Sequence, residues 1–239
     1  MDMHDSMDIE QLANYLQRDA RELGKMADRG RLPGQKVGGE WRFAPAEINH
    51  WVETQLKDYT DKELAALEVG ARWGKSCSGL LVTKLLTPAT MAVPIAASTK
   101  PSVLKQLVVL AEQSWQVYDP EALLDAIRQR EELHSTAMDR GVAFPHPRRA
   151  LPSTVLGESV IAYGRTGRGV PFGSGSGLAD VFFLVACTDQ ATHMQVLARL
   201  SRMMLRPGLL DNLRAAEDVA ETYQLLVEAE KAALEEVLP

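Results

Sequence analysis

The sequence predicts an α/β protein in which a small helix-and-hairpin module precedes a larger layered domain. Three observations carry that expectation. Residues 8–57 hold short helix signals around a Gly-Gly turn, whereas residues 83–237 alternate helical and strand-like apolar patterns, with residues 58–82 as a connector. The length of 239 residues accommodates two domains of ordinary size. The 46% hydrophobic and 24% charged residues are ordinary for a chain that buries a core.

The elements follow in order. Ile9, Leu12, Ala13 and Leu16 recur at i, i+3, i+4 and i+7 behind Asp8, a fair N-cap. A second helix spans Ala20 to Asp28, ended by Gly30 and the Leu32-Pro33-Gly34 stop. Gln35-Lys36-Val37 and Trp41-Arg42-Phe43 flank Gly38-Gly39, a hairpin signal. Pro45 opens a third helix with Ile48, Trp51 and Val52 on one face. The connector is helical up to Leu67. Beyond it, Val103, Leu104, Leu107, Leu110 and Ala111 make one helical stripe, and Leu123, Ile127 and Leu133 another. Val155–Tyr163 and Val181–Ala186 read as strands, the second as a buried apolar run. Met194–Met204 has helical spacing, and Leu213 with Val219–Leu234 supplies the last helices.

Charge and segment composition narrow the function classes. The net charge of −6 argues against a generic nucleic-acid binder, so any such claim rests on local charge. Residues 11–45 carry seven cations against four acids, a local +3. Cys77 and Cys187 form neither a CxxC pair nor a zinc-ligand spacing, so free thiols in a reduced compartment are expected. The N-terminal MDMHDSMDIE lacks an apolar core of a signal peptide, and apolar runs stop short of the roughly 18 residues of a membrane span. A cytoplasmic protein without membrane insertion is the expectation. The run Gly70 to Ser76 falls one residue short of the Walker spacing and has no preceding strand.

Gly30-Arg31-Leu32-Pro33, then Lys36-Val37-Gly38-Gly39-Glu40-Trp41-Arg42-Phe43 and Glu47-Ile48-Asn49-His50-Trp51, resembles the excisionase-like, MerR-related winged helix-turn-helix over about 50 residues. The resemblance implies a second helix that enters the major groove and a wing that touches the DNA backbone. It makes Arg18, Arg21, Lys25, Arg31, Lys36 and Arg42 the candidate DNA contacts. A +3 patch is modest and a single winged helix reads few bases, so a homodimer or a second partner is implied; docking of a protein is the competing reading. Trp41, Phe43 and Trp51 are expected in the core.

The strongest chemical signal is Arg130-Glu131-Glu132-Leu133-His134-Ser135-Thr136 followed by Gly141-Val142-Ala143-Phe144-Pro145-His146-Pro147-Arg148. It resembles the fructose/mannitol/nitrogen-regulatory class of phosphotransferase enzyme IIA, from about Leu85 to about Ala233, with Gly169-Val170-Pro171-Phe172-Gly173 as a further match. The resemblance implies a three-layer αβα domain with a mixed β-sheet. It also implies that His146 accepts a phosphoryl group from an HPr-like protein donor. Imidazole titrates near pH 6.5, so much of it is a neutral nucleophile at pH 7 and forms phosphohistidine without a separate base. The group brings about −2 of charge. By the same resemblance Arg130 offers a guanidinium fork, His193 a hydrogen bond, and Ser135, Thr136 and Arg148 further phosphate contacts. Arg148 alternatively docks an acidic patch on the donor. No metal or cofactor is needed for transfer between histidines. His134, His4 and His50 are expected at the surface, and Gly173–Gly177 as a turn near the site.

The Pro147-Arg148 pair after His146 is better tolerated in the nitrogen-regulatory branch. Fusion to a DNA-binding module favours regulation over transport. Two alternatives stay open: a sugar-transport phosphocarrier that serves a permease component, and an interaction module that is never phosphorylated.

Overall fold

The computed structural model describes residues 6–70, 79, 81–173 and 177–235. Helix α1 (Ile9–Leu16) begins where the Asp8 carboxylate accepts from the Gln11 N–H, 2.8 Å away, and the Gln11 side chain accepts from the Asp8 N–H. This reciprocal cap satisfies two amide donors that a helix start leaves bare. Asp19 caps α2 (Ala20–Asp28) through the Glu22 N–H. Strands β1 (Gln35–Val37) and β2 (Glu40–Arg42) pair antiparallel. Gly38 and Gly39 join them at φ 63° and 90°, which a two-residue hairpin turn demands and glycine adopts freely. Helix α3 (Pro45–Glu53) follows. Leu12, Leu23, Phe43, Ile48 and Val52 are fully buried between these elements. Phe43 is core as expected, while Trp41 and Trp51 are half-buried against it.

The larger domain is built on a four-stranded sheet in the order β3 (Leu86–Ile95), β5 (Val160–Pro171), β6 (Leu178–Ala186), β4 (Val142–Ala143). β5 and β6 are antiparallel, and the two outer pairings are parallel, so the sheet is mixed. Alternation sorts the side chains between its two faces. Ala162, Phe182 and Leu184 pack under α6 (Lys100–Glu112) and α7 (Pro120–Leu133). Ile161, Tyr163, Phe183 and Val185 pack with α8 (Gln190–Leu205) and α10 (Val219–Glu235), beside the short α9 (Leu209–Ala215). This is the three-layer αβα arrangement. One expected strand shifts: Val155 and Leu156 lie in a turn on the Pro152 carbonyl, and β5 starts at Val160. No helix among the described residues is long and apolar enough to cross a membrane.

The connector contributes structure of its own. Helix α4 (Asp61–Gly70) runs three residues beyond the expected Leu67 and packs its Leu64 and Leu67 into the cluster beneath α8. Buried Arg199 of α8 donates to Glu68 of α4 and, at 3.0 Å, to Glu230 of α10. Arg202, also buried, reaches Glu68 at 3.2 Å and Asp61 at 3.1 Å. Glu230 further accepts from the backbone N–H groups of Leu81, Val82 and Thr83, at the start of α5 (Val82–Leu85). The stretch resembling a phosphate loop, Gly70 to Ser76, lies mostly outside the described residues, as do His4, Cys77 and most of Gly173–Gly177.

Candidate active site

Four elements converge on one buried cluster. His146 follows β4, held by Pro145, whose carbonyl accepts from the Val185 N–H of β6 at 2.9 Å. Its Nδ1 lies 2.7 Å from the Phe144 carbonyl. A carbonyl can only accept, so Nδ1 carries a proton, and in the neutral ring the lone pair sits on Nε2. His193, one turn into α8, stacks edge-on against His146 with ring centroids 4.9 Å apart. Arg130, near the C-terminal end of α7, brings its guanidinium to the same point. His146, His193 and Arg130 are 3%, 5% and 1% exposed, so none can be reached from solvent in this arrangement.

The fourth member is one the sequence analysis missed. Glu53, the last residue of α3 in the N-terminal domain, inserts its carboxylate among the three. Its Oε1 accepts from His193 Nε2 at 3.1 Å. Its Oε2 accepts from Arg130 Nε and Nη2, at 3.3 and 3.1 Å. The same Oε2 lies 3.1 Å from His146 Nε2, without the alignment of a hydrogen bond. Burial opposes charge on Glu53, yet the charged form of the His146 ring, with the contacts of His193 and His50, more than offsets it and holds the carboxyl far below the ordinary range. Burial pushes the His193 pKa down, against the Glu53 hydrogen bond, so its imidazole is neutral at pH 7.

Two imidazoles and a carboxylate within reach of one another have the composition of a metal site. Here Arg130 holds the carboxylate oxygen nearest His146, so a fixed guanidinium supplies the positive charge that a cation would bring. The space left beside the cluster is about 30 Å³, lined by Glu53, Arg130, Thr136 and His146 among others. That admits a water molecule and no phosphoryl group.

The remaining expected contacts divide. The Ser135 hydroxyl donates to the Phe172 carbonyl at 3.0 Å. The Thr136 hydroxyl and N–H both go to Glu131, which also pairs with Lys100 at 2.6 Å. These two hydroxyls shape the loop before β4 and do not point at His146. Arg148 pairs with Glu47 of α3 at 3.0 Å and so binds the N-terminal domain instead of the site, because the docked helix puts a carboxylate beside it. His134 is exposed as expected. His50 is not: it is half-buried, its Nδ1 3.6 Å from Glu53. A faint signal for Glu53 existed. Asn49 and Glu53 extend the buried Ile48–Val52 stripe of α3 by a polar pair four residues apart.

Among the candidate DNA contacts, Arg21, Lys25 and Arg31 are exposed without an acidic partner among the described residues. Arg18 pairs with Glu22, Lys36 with Asp28 at 3.1 Å, and Arg42 with Glu40 at 3.1 Å.

The family model for the phosphoenolpyruvate-dependent sugar phosphotransferase system, EIIA 2, matches residues 84–229, and a helix-turn-helix domain model matches residues 6–56. A fructose-specific EIIABC component of Bacillus subtilis is 33% identical over 139 residues, 57% of this chain and only 21% of that relative. A nitrogen regulatory protein of Bradyrhizobium diazoefficiens is 28% identical over 149 residues, 61% of this chain and 94% of the relative. The crystal structure of nitrogen regulatory protein IIA-Ntr from Neisseria meningitidis superposes with a TM-score of 0.55 at 21% identity, over 62% of this chain and 99% of that one. IIA mannitol from Escherichia coli gives 0.52 at 20%, over 59% and 97%. These structures share the fold.

Proposed function

The chain belongs to the phosphoenolpyruvate-dependent sugar phosphotransferase system EIIA 2 family, and we propose that it is a regulator switched by a phosphoryl group on His146. The observation that carries this reading is the Nδ1 hydrogen bond to the Phe144 carbonyl. It leaves Nε2 as the nucleophile and aims it at the donors of Arg130 and His193. In the transfer the Nε2 lone pair forms a new N–P bond, the donor's own N–P bond breaks, and its electron pair returns to the donor imidazole. The Nδ1 proton stays on the Phe144 side. Arg130 offsets charge on the transferred group, and the neutral His193 donates from Nε2.

An HPr-like phosphohistidine protein is the proposed donor. Regulation is favoured over transport by the helix-turn-helix domain and by the likeness to a nitrogen regulatory protein along almost its whole length. The exposed Arg21, Lys25 and Arg31 of the N-terminal domain are proposed to meet DNA phosphates or base edges. A second reading, onward transfer to a sugar-permease component, is favoured by the 33% identity to a fructose-specific component.

The test is the intact mass of the chain after incubation with phosphoenolpyruvate, the general phosphotransferase enzyme and HPr or its nitrogen-branch counterpart. One acid-labile phosphoryl adduct, lost in His146→Ala, is expected. An adduct that survives His146→Ala would overturn the assignment. Discharge of that adduct onto a permease component would favour the transport reading.

A further inference from the structure

We propose that Glu53 is a built-in stand-in for the phosphoryl group, a carboxylate latch that closes the N-terminal domain over His146 and is expelled when His146 is phosphorylated. The proposal rests on His146 as the phosphoryl acceptor and adds the regulation of that site by the domain in front of it.

Three observations carry it. The first is occupancy. Glu53 Oε2 lies 3.1 Å from the nucleophilic Nε2, so a phosphorus bonded to Nε2 and its oxygens must fall where that carboxylate now sits. The second is chemistry. Arg130 Nε and Nη2 and His193 Nε2 are the donors that a phosphoryl group would need, and Glu53 accepts from all three. A carboxylate of −1 and a phosphoryl group of about −2 would face one permanent cation, Arg130, so the two cannot share the receptor. The third is access. With His146 at 3% exposure and about 30 Å³ of free space, the site must open before any donor reaches it.

The rest of the seat is suited to release. Its polar contacts among the described residues include an exposed Arg148–Glu47 pair and a hydrogen bond from Asn49 to Gln190 at 3.1 Å. Beside the latch, an apolar cavity of about 220 Å³ separates Leu56 and Leu64 from Met138, Phe144 and Met204, so this part of the seam is incompletely filled. Arg21 and Lys25 stay exposed while the latch is closed. The latch therefore governs access to His146 and the setting of the N-terminal domain, and it leaves the proposed DNA-reading helix uncovered.

Two measurements on the full chain decide the matter. Phosphoramidate, a small donor whose N–P bond breaks to release ammonia as the His146 N–P bond forms, removes any dependence on the natural donor's identity. Uptake followed by intact mass is expected to be about tenfold or more faster in Glu53→Gln and Glu53→Ala than in the natural chain, because the fraction in the open state limits the rate. Hydroxyl-radical labelling of the phosphorylated natural chain is expected to rise at Phe144 and His193, which are buried beside Leu56 and Glu53 in the closed state, with the amides of α1, α2 and α3 still protected. This second measurement needs no substitution and separates release from unfolding. Equal uptake rates, or a phosphorylated chain in which Phe144 and His193 are labelled no faster than before, would overturn the latch and leave His146 as the acceptor. If even Glu53→Ala takes up no phosphoryl group, the reading of His146 itself falls, and the latch with it.

Discussion

Helix α8 receives two sets of buried carboxylates, and they are built differently. At its start, His193 meets Glu53 of the N-terminal domain, alongside His146 and Arg130. Six residues on, about 9 Å along the axis, Arg199 and Arg202 meet Glu68 of α4 and Glu230 of α10. In the second set every cation is a guanidinium, charged at any accessible pH, and Glu230 is satisfied by three backbone amides besides. In the first set, every partner of Glu53 but Arg130 is an imidazole whose charge depends on conditions, and one of those is the residue proposed to be modified. Buried carboxylates thus serve two ends on one helix: a fixed brace where the partners are permanent, and a contact that can be exchanged where they are not.

The comparison can be broken most directly at the brace. Glu230→Ala leaves Arg199 short of a partner and three amides without an acceptor, in a site with no exposure. The expected loss is about 3–5 kcal/mol of unfolding free energy by urea titration. A loss under about 1 kcal/mol would show that the brace is no more than a surface pair.

Acid sharpens the contrast. The His193 pKa is depressed in the folded chain by burial, so the docked state favours the neutral ring. That contribution is complete above the unfolded value near 6.5 and is lost as pH falls below it. The Glu53 carboxyl is also depressed, so its contribution is present above about 4.3 and is lost only in stronger acid. Hydroxyl-radical labelling of Phe144 should therefore rise as pH is lowered through about 6.5, while amide protection around Arg199 holds. Constant labelling as pH falls would remove the distinction between the two clusters.

The smallest effect belongs to the rim. Arg148 and Glu47 are both substantially exposed, so Arg148→Ala should change stability by no more than about 0.5 kcal/mol, with the difference vanishing in high salt. A cost as large as that of Glu230→Ala would move the anchor of the interface from Glu53 to this pair.

The two regions also differ in how far the sequence announced them. His146, Arg130 and His193 could be named because the resemblance to the enzyme IIA class places a motif arginine and histidine at the first two and a second histidine at the helix start of the third. The layered fold and the Gly38-Gly39 hairpin were legible as local patterns with a single period. Strand β3 was not: Thr87, Pro88 and Ala89 are exposed, Pro94 interrupts it, and its register to β5 shifts twice. Val155–Leu156 looked like strand because both are apolar, yet they are buried by packing over a turn. Glu53 gave only the faint signal of its place on the α3 stripe, for a plainer reason. Its partners lie 77 and 140 residues away, and a glutamate at the end of an amphipathic helix is ordinarily solvated. Ser135 and Thr136 show the converse, motif residues whose hydroxyls are spent on the loop around them.

The brace between α4 and α8 bears on how this chain can be dissected. A fragment cut to begin at residue 83 would discard Asp61 and Glu68, take from Arg199 and Arg202 the carboxylates of α4 while leaving Glu230 and the Ala233 carbonyl, and bare the apolar groove that Leu64 and Leu67 fill. A fragment begun in the segment between Thr54 and Thr60 keeps that helix and removes Glu53 alone from the cluster around His146. The second piece should be the well-behaved one, and by construction it is the permanently unlatched form.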